Sequence, residues 1–223
     1  QCLQGCWLFP MKAIFYKDFY KDHIADKIKE VFLETFYHPL AVKDGIYLEI
    51  GANQGIFTLW AYPNAKKIYA IEPSKEHLEV LQMMLKQNEM TDKVEIIPKA
   101  VSNTNGTATF YHNTNTTMNS LAKETSTEGL ESETVETVTI KKLFDDYKID
   151  HVDLMNLDVE GEEFNILSSD EFTEVAPKIK TLVVEYHQWT NISLIQLITM
   201  LEDRGFTVEK AQTQATVFIA KHE

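Results

Sequence analysis

Residues 47–55, Y-L-E-I-G-A-N-Q-G, constrain the fold of this chain most strongly. An apolar run at residues 46–48 ends at the acid Glu49, two glycines follow, and an apolar helical pattern begins at Phe57. Strand, glycine turn and helix form the ligand loop of many α/β folds. The glycines let the backbone approach a ligand, and we expect N–H groups at the helix start to face it.

The glycine spacing narrows the class of ligand. Gly51 and Gly55 are separated by three residues, whereas the dinucleotide fingerprint is G-x-G-x-x-G and a phosphate-gripping loop continues with Lys-Ser/Thr. A loop with fewer glycines suits a cofactor without a pyrophosphate, and we expect S-adenosylmethionine (SAM). A purely structural role for the turn is the alternative.

A second apolar segment ends in an acid at an informative place. Residues 67–71 predict a strand of a buried parallel sheet, followed by Glu72, Pro73 and Ser74. Glu72 lies about 20 residues after Gly51, the offset at which an acid binds ribose hydroxyls. Pro73 ends the strand, and Ser74 is suited to cap the next helix. Without a ribose, Glu72 would be an exposed acid at a strand end.

Alternating segments predict a doubly wound, mostly parallel α/β sheet with a C-terminal antiparallel hairpin. Further strands are expected at residues 94–97, 107–111, 135–140, 152–157 and 181–186, helices at 76–88, 140–147, from 163 and at 193–201, and the hairpin at 206–209 and 215–219. The hairpin matches the SAM methyltransferase version of this fold. We expect residues 1–40 to be a leader with a packing helix (18–37), and residues 41–223 a single cofactor-binding domain.

Composition argues against several classes of function. The net charge of −13 argues against a nucleic-acid substrate, which usually requires a basic face. No apolar run reaches the ~18 residues of a membrane span, and residues 1–10 lack a secretory signal pattern and are expected to be disordered, with Met11 a candidate start. Cys2 and Cys6 cannot complete a tetrahedral zinc site. Composition is therefore consistent with an enzyme, which we expect to be cytoplasmic.

Polar side chains gather where the core strands end. Asp158 and Glu160 precede a bend expected at Gly161, and Glu185 and His187 are two residues apart on an extended segment, so they point the same way. Ligands of doubly wound sheets bind outside these carboxyl ends. Solvated strand ends would explain one or two such residues, but less easily all four.

At these positions the chain resembles the FkbM family of SAM-dependent methyltransferases. The matching elements are Leu48-Glu49-Ile50-Gly51-Ala52-Asn53-Gln54-Gly55, Ile71-Glu72-Pro73, Lys99-Ala100-Val101-Ser102, Leu157-Asp158-Val159-Glu160-Gly161-Glu162-Glu163 and Glu185-Tyr186-His187. The D-V-E-G-x-E element is the most specific. The family's first loop usually begins with Asp, where this chain has Glu49, and a lysine is common where Asn156 stands.

The resemblance implies O-methylation of a hydroxyl on a sugar, glycolipid or small metabolite. The implied cofactor-binding residues are Glu49, Gly51, Ala52, Asn53 and Gly55 at the methionine part, Glu72 and Pro73 at the ribose, Ala100 and Val101 at the adenine, and Asp158 at the amino group. His187, Glu185 and Glu160 are the candidate bases, with His187 first because an imidazole titrates near pH ~6.5. Alternatively His187 only holds a strand end, or the acids hold Mg²⁺.

The long polar segment at residues 112–133 is expected to border the acceptor pocket, with Asn119 and Ser120 nearest SAM. Other readings remain open: a SAM-binding protein with an RNA or protein acceptor, or one without activity. A base N-methyltransferase would need an N/D-P-P-Y/F element, and an NAD-dependent oxidoreductase the dinucleotide glycine spacing; this sequence has neither.

Overall fold

The structure is a computed structural model that describes residues 27–33, 36–112, 119–121, 131–187, 192–211 and 214–222. The predicted leader at residues 1–10 therefore lies outside the described residues, as does most of the predicted helix at residues 18–37. In the described part of that helix, residues 27–28 are α-helical and Lys29–Leu33 form a π-helical segment; a 3₁₀ turn follows at His38–Leu40.

Ten strands and six α-helices alternate along the described residues. The strands are β1 (Gly45–Ile50), β2 (Ala65–Ile71), β3 (Val94–Ile97), β4 (Ala100–Val101), β5 (Gly106–Tyr111), β6 (Ser132–Val138), β7 (Leu154–Leu157), β8 (Thr181–Glu185), β9 (Thr207–Lys210) and β10 (Val217–Lys221). The helices are α1 (Ile56–Ala61), α2 (Lys75–Gln87), α3 (Ile140–Asp146), α4 (Glu163–Leu167), α5 (Asp170–Val175) and α6 (Leu194–Glu202). Further 3₁₀ turns lie at Tyr62–Asn64 and Ala176–Lys178.

The central sheet has seven strands in the order β3-β2-β1-β7-β8-β10-β9. The first five are parallel neighbours, whereas β10 runs antiparallel to both β8 and β9. The prediction of a doubly wound, mostly parallel sheet ending in an antiparallel hairpin is confirmed. The order reverses between β1 and β7, which places the switch point beside the glycine turn.

Both faces of the central sheet are buried, which explains the near-continuous apolar runs of its strands. In β1, Tyr47 packs into one core with Phe57 and Trp60, while Leu48 and Ile50 belong to the core on the other face. Successive side chains of a strand point to opposite faces, so Glu49 lies on the same side as Tyr47.

A second sheet of three strands, in the order β4-β6-β5, stands beside the central one. Its strand β6 occupies Ser132–Val138 rather than the predicted residues 135–140, because Thr139 caps α3 by accepting a hydrogen bond from the N–H of Lys142. The strand also begins earlier than predicted, so residues 132 and 133 of the predicted polar loop belong to β6. Within the described residues no helix is both long and apolar enough to cross a membrane.

Candidate active site

The turn between β1 and α1 requires both glycines, for different reasons. Gly51 has a φ of 87°, and a Cβ there would lie 1.7 Å from the carbonyl oxygen of Asp158. Gly55 has a φ of 85°, and a Cβ there would lie 2.3 Å from Leu81 of α2. Gly51 thus brings β1 against the end of β7 at the pocket, whereas Gly55 serves the packing of α1 on α2.

Three backbone N–H groups at the start of this turn donate to acceptors of the protein. Gly51 and Ala52 donate to the carbonyl oxygen of Ile71 at 3.0 and 2.9 Å, and Asn53 donates to Oε2 of Glu72 at 2.8 Å. The N–H groups at the start of α1, which the sequence predicts to face the ligand, are not among these three, so that expectation stays a prediction. These three N–H groups are already paired within the protein and are not directed at a ligand.

Glu72 is a rigid, buried acceptor at the end of β2. Its side chain accepts hydrogen bonds from the N–H groups of Asn53 and, at 2.9 Å, of Ser74. Nδ1 of His77 lies 3.4 Å from Oε1 of the same carboxylate. Each carboxylate oxygen has two acceptor positions, so Oε2, which accepts only from Asn53 among these contacts, retains capacity for a ribose hydroxyl. Pro73 lines the same pocket.

Glu49 is buried in the floor of the pocket and accepts a hydrogen bond from the hydroxyl of Thr58. Burial, together with the nearby carboxylates of Glu72 and Asp158, raises the pKa of Glu49 to about 8. The side chain is therefore largely protonated at neutral pH. A cationic ligand would favour its ionised form.

Asp158 and Glu185 share a cation at the ends of β7 and β8. Nζ of Lys27 lies 3.1 Å from Oδ2 of Asp158, 3.5 Å from Oε2 of Glu185 and 3.3 Å from Oε2 of Glu30. Burial opposes the ionisation of Asp158, but Lys27 and His187 hold its pKa below the ordinary value. Asp158 and burial together raise the pKa of Glu185 to about 7.

The D-V-E-G-x-E element folds around its last acid. The carboxylate of Glu163 accepts hydrogen bonds from the N–H groups of Val159 at 3.1 Å and Gly161 at 3.0 Å, and it lies 2.7 Å from Nδ1 of His187. Glu160 adopts a φ of 52° within this loop. The element therefore forms a tight loop clamped by a buried carboxylate, which directs Glu160 toward the pocket.

His187 lies behind this loop. Nε2 of its ring is 3.3 Å from Oε2 of Glu160 and 3.8 Å from Oδ1 of Asp158. Although burial lowers the pKa of His187, Glu160 and Glu163 raise it to about 11. An imidazolium cannot accept a proton, so these contacts argue against His187 as the base. Its role stays a prediction, and Glu185 has the better-matched pKa.

Ligand atoms of Asp158, Glu185 and His187 lie within 4.8 Å of one another. The expected gathering of these side chains at one edge of the sheet is thus observed. However, the ammonium of Lys27 already lies among the carboxylates, and a protonated His187 cannot ligate a metal. This arrangement gives the Mg²⁺ alternative no support.

The pocket draws on nearly all the elements that the sequence singled out. Of the predicted site residues, those lining it are Glu49, Gly51, Ala52, Asn53, Glu72, Pro73, Ala100, Val101, Asn119, Asp158, Glu160 and Glu185. Gly55, Ser120 and His187 are absent from the lining. Ser120 instead donates a hydrogen bond from its hydroxyl to the carbonyl oxygen of Glu160 at 2.5 Å. This bond connects the segment that contains Asn119 and Ser120 to the loop formed by the D-V-E-G-x-E element.

Several lining residues carried no signal in the sequence. Lys27 and Tyr37 come from the segment before β1, and the hydroxyl of Tyr37 donates to Oδ1 of Asn156 at 2.8 Å. Among the described side chains, Oε1 of Gln54, Nε2 of His77 and Oδ1 of Asp158 are buried without a hydrogen-bond partner. All three line the pocket. The pocket thus offers unused polar atoms, as expected of a ligand site.

A family model described as the methyltransferase FkbM domain matches residues 49–208, which is most of the chain. The chain belongs to the FkbM methyltransferase family. It is 28% identical to the methyltransferase sdnD of Sordaria araneosa over 220 aligned residues, which cover 83% of each protein.

Solved structures show the same fold. The FkbM methyltransferase of Methylobacillus flagellatus KT superposes with a TM-score of 0.53 at 13% identity, covering 92% of this chain and 55% of that one. The magnesium protoporphyrin IX methyltransferase of Synechocystis PCC 6803, solved with bound SAM, gives a TM-score of 0.53 at 10% identity, covering 97% of this chain and 89% of that one. The architecture is therefore that of the class I SAM methyltransferases, and this FkbM protein is a methyltransferase.

Proposed function

We propose that this protein transfers a methyl group from SAM to a hydroxyl of a sugar, glycolipid or small metabolite. The observation that carries the proposal is a single pocket that joins a ribose-type acid at the end of β2, Glu72, to an ionisable acid at the end of β8, Glu185. The first suits a nucleoside cofactor, and the second suits removal of a proton from a neutral acceptor.

The residues of the pocket fit SAM. Glu72 has acceptor capacity left for the ribose, and Ala100 and Val101 form an apolar wall for the adenine. Oε1 of Gln54 and Oδ1 of Asp158 are buried acceptors without a partner among the described residues, and both suit an ammonium group. When bound, SAM supplies a methyl group on a sulfonium, so the protein needs to align the acceptor and remove one proton.

Glu185 is the proposed base. With a pKa of about 7, it is ionised in a large fraction of molecules near neutral pH, and it lines the pocket directly. It takes the hydroxyl proton as the acceptor oxygen gains its methyl group. Glu160 is the second candidate, although burial also raises its pKa. His187 is then a positioning residue that holds Glu160 and Glu163.

The walls of the pocket favour a neutral acceptor. The end of the pocket that holds the proposed base is lined by three acids, Glu30, Glu160 and Glu185. Among the described lining residues, Lys27 is the one lysine beside them. The negative electrostatic potential of these carboxylates repels phosphate-rich substrates such as nucleic acids. The location in the cytoplasm and the boundary near residue 40 also stay proposals.

Incubation of candidate acceptors with methyl-labelled SAM tests this function. We expect label on a hydroxyl oxygen, identified by NMR of the product, and we expect Glu185→Gln to lower kcat by roughly 10²-fold or more. Methylation of nitrogen or carbon would contradict the O-directed proposal. Retained kcat in Glu185→Gln with loss in His187→Gln would return the role of base to His187.

A further inference from the structure

The cofactor proposed above ends in an amino acid, which carries an ammonium and a carboxylate. The pocket offers many carboxylates for the ammonium but few cations for the carboxylate. Its described lining contains two lysines, Lys27 and Lys99, and no arginine. Lys99 lies next to Ala100, at the proposed adenine end, and its Nζ is paired with Glu136 at 3.0 Å. Lys27 is therefore the cation available at the opposite end.

We propose that Lys27 binds the carboxylate of the cofactor's methionine moiety, beside an ammonium bound by Asp158. This inference rests on SAM being the cofactor. It assigns a binding role to a residue that precedes the matched methyltransferase region at residues 49–208. The N-terminal segment would then complete the cofactor site.

The charge of Lys27 is secure in this environment. Burial alone would lower its pKa, but Asp158, Glu185 and Glu30 raise it well above the ordinary value. Of its three carboxylate contacts, the one to Asp158 is the shortest at 3.1 Å. The contacts to Glu30 at 3.3 Å and Glu185 at 3.5 Å are longer than the 2.7–2.9 Å typical of strong charged hydrogen bonds.

An arriving carboxylate can therefore replace Glu185, the most distant partner, at Nζ of Lys27. That exchange releases Glu185 toward the acceptor. Meanwhile Oδ2 of Asp158 keeps its bond to Lys27, and its buried Oδ1, which has no hydrogen-bond partner among the described residues, remains for the ligand's ammonium. One cation and one anion, side by side, match an α-amino acid.

Local packing holds the N-terminal segment at this position. Tyr37 donates to Asn156 of β7 at 2.8 Å, and its ring packs on Phe57 and Trp60 of α1. Val31, within the π-helical segment after Lys27, is buried in the same core. The segment therefore reaches Asp158 through tertiary contacts rather than through sequence proximity.

Calorimetry with SAM and decarboxylated SAM, which lacks only the carboxylate, tests the proposal without knowledge of the acceptor. We expect the wild-type protein to prefer SAM by on the order of 10- to 100-fold, the range for a charged hydrogen bond. Lys27→Met should reduce that preference to within ~3-fold, because the carboxylate that distinguishes the two compounds then has no cationic partner. Lys27→Arg should retain most of the preference, and Lys99→Met all of it.

Each other outcome is informative. If Lys27→Met keeps the preference for SAM, another group binds the carboxylate and the proposal is wrong. If it binds SAM more tightly than the wild type, Lys27 competes with the ligand's ammonium, which also overturns the proposal. Failure of the wild type to bind either compound would refute the proposed function itself. If Lys27→Met does not fold, as judged by thermal unfolding, Lys27→Gln takes its place.

Discussion

Replacing Glu163 by alanine should destabilise the protein more than most single substitutions. Glu163 is 4% exposed, and its carboxylate serves three groups: the N–H of Val159, the N–H of Gly161 and the ring of His187. Alanine leaves all three in a buried space without this acceptor. Removing one partner of a buried charged pair costs ~3–5 kcal/mol, and we expect a loss of that size rather than a larger sum, because the three bonds are not independent.

Thermal unfolding and urea titration measure the effect of this substitution. For a chain of this length, a loss of ~3–5 kcal/mol lowers Tm by roughly 6–20 °C. Glu163→Gln retains one acceptor oxygen and should lose about half as much free energy. Glu174, whose side chain is 59% exposed beside Lys141, supplies the control, and Glu174→Ala should change stability by less than ~0.5 kcal/mol. If the free energy of unfolding of Glu163→Ala lies within ~1 kcal/mol of the wild-type value, Glu163 does not hold this loop as described.

Three further substitutions test the electrostatics and the turn. The pKa of Glu49 is raised to about 8, so its carboxyl ionises at lower pH in the unfolded chain than in the folded protein. The unliganded protein should therefore lose stability as the pH rises from about 4.5 to 8. Glu49→Gln should flatten that part of a stability profile measured with urea. The pKa of His187 is raised to about 11, so its contribution to stability is complete below about pH 6.5 and falls as the pH rises toward 11. His187→Gln should remove that decline. An unchanged stability profile in this variant would contradict the raised pKa. Gly51→Ala should lower the free energy of unfolding by at least ~1–3 kcal/mol, because the added Cβ meets the carbonyl of Asp158. Gly106→Ala is the control, because its added Cβ has nothing within 4 Å. Equal losses in the two variants would contradict the clash at Gly51.

Local sequence patterns sufficed to predict the fold because the buried strands are recognisable as apolar runs with clear ends. Strands β1, β2, β3 and β8 each contain an apolar run that ends at an acid or a proline, and their parallel orientation follows from the helices between them. Strand β4 has two residues and no periodicity. The small second sheet could therefore not be predicted from the sequence.

The position of a side chain at the pocket was predictable where one element carries both the loop and its side chain, as at Glu72 and Asp158. It was not predictable where distant segments meet. Lys27 lies 3.1 Å from Asp158 only through tertiary packing. The protonation of His187 follows from two carboxylates on another loop, one of which, Glu163, looks in sequence like any exposed helical acid. Periodicity reports which face is buried, but not which charges converge there.

Calorimetric titration of the protein with S-adenosylhomocysteine and with NAD tests the central claim, a SAM site whose ribose contact is Glu72, most directly. We predict micromolar-range binding of S-adenosylhomocysteine, much weaker binding of NAD, and a loss of ~1.5–3 kcal/mol in Glu72→Ala. The loss includes release of the Asn53 N–H that Glu72 holds at 2.8 Å. Equal or tighter binding of NAD, or unchanged affinity in Glu72→Ala, would contradict the account.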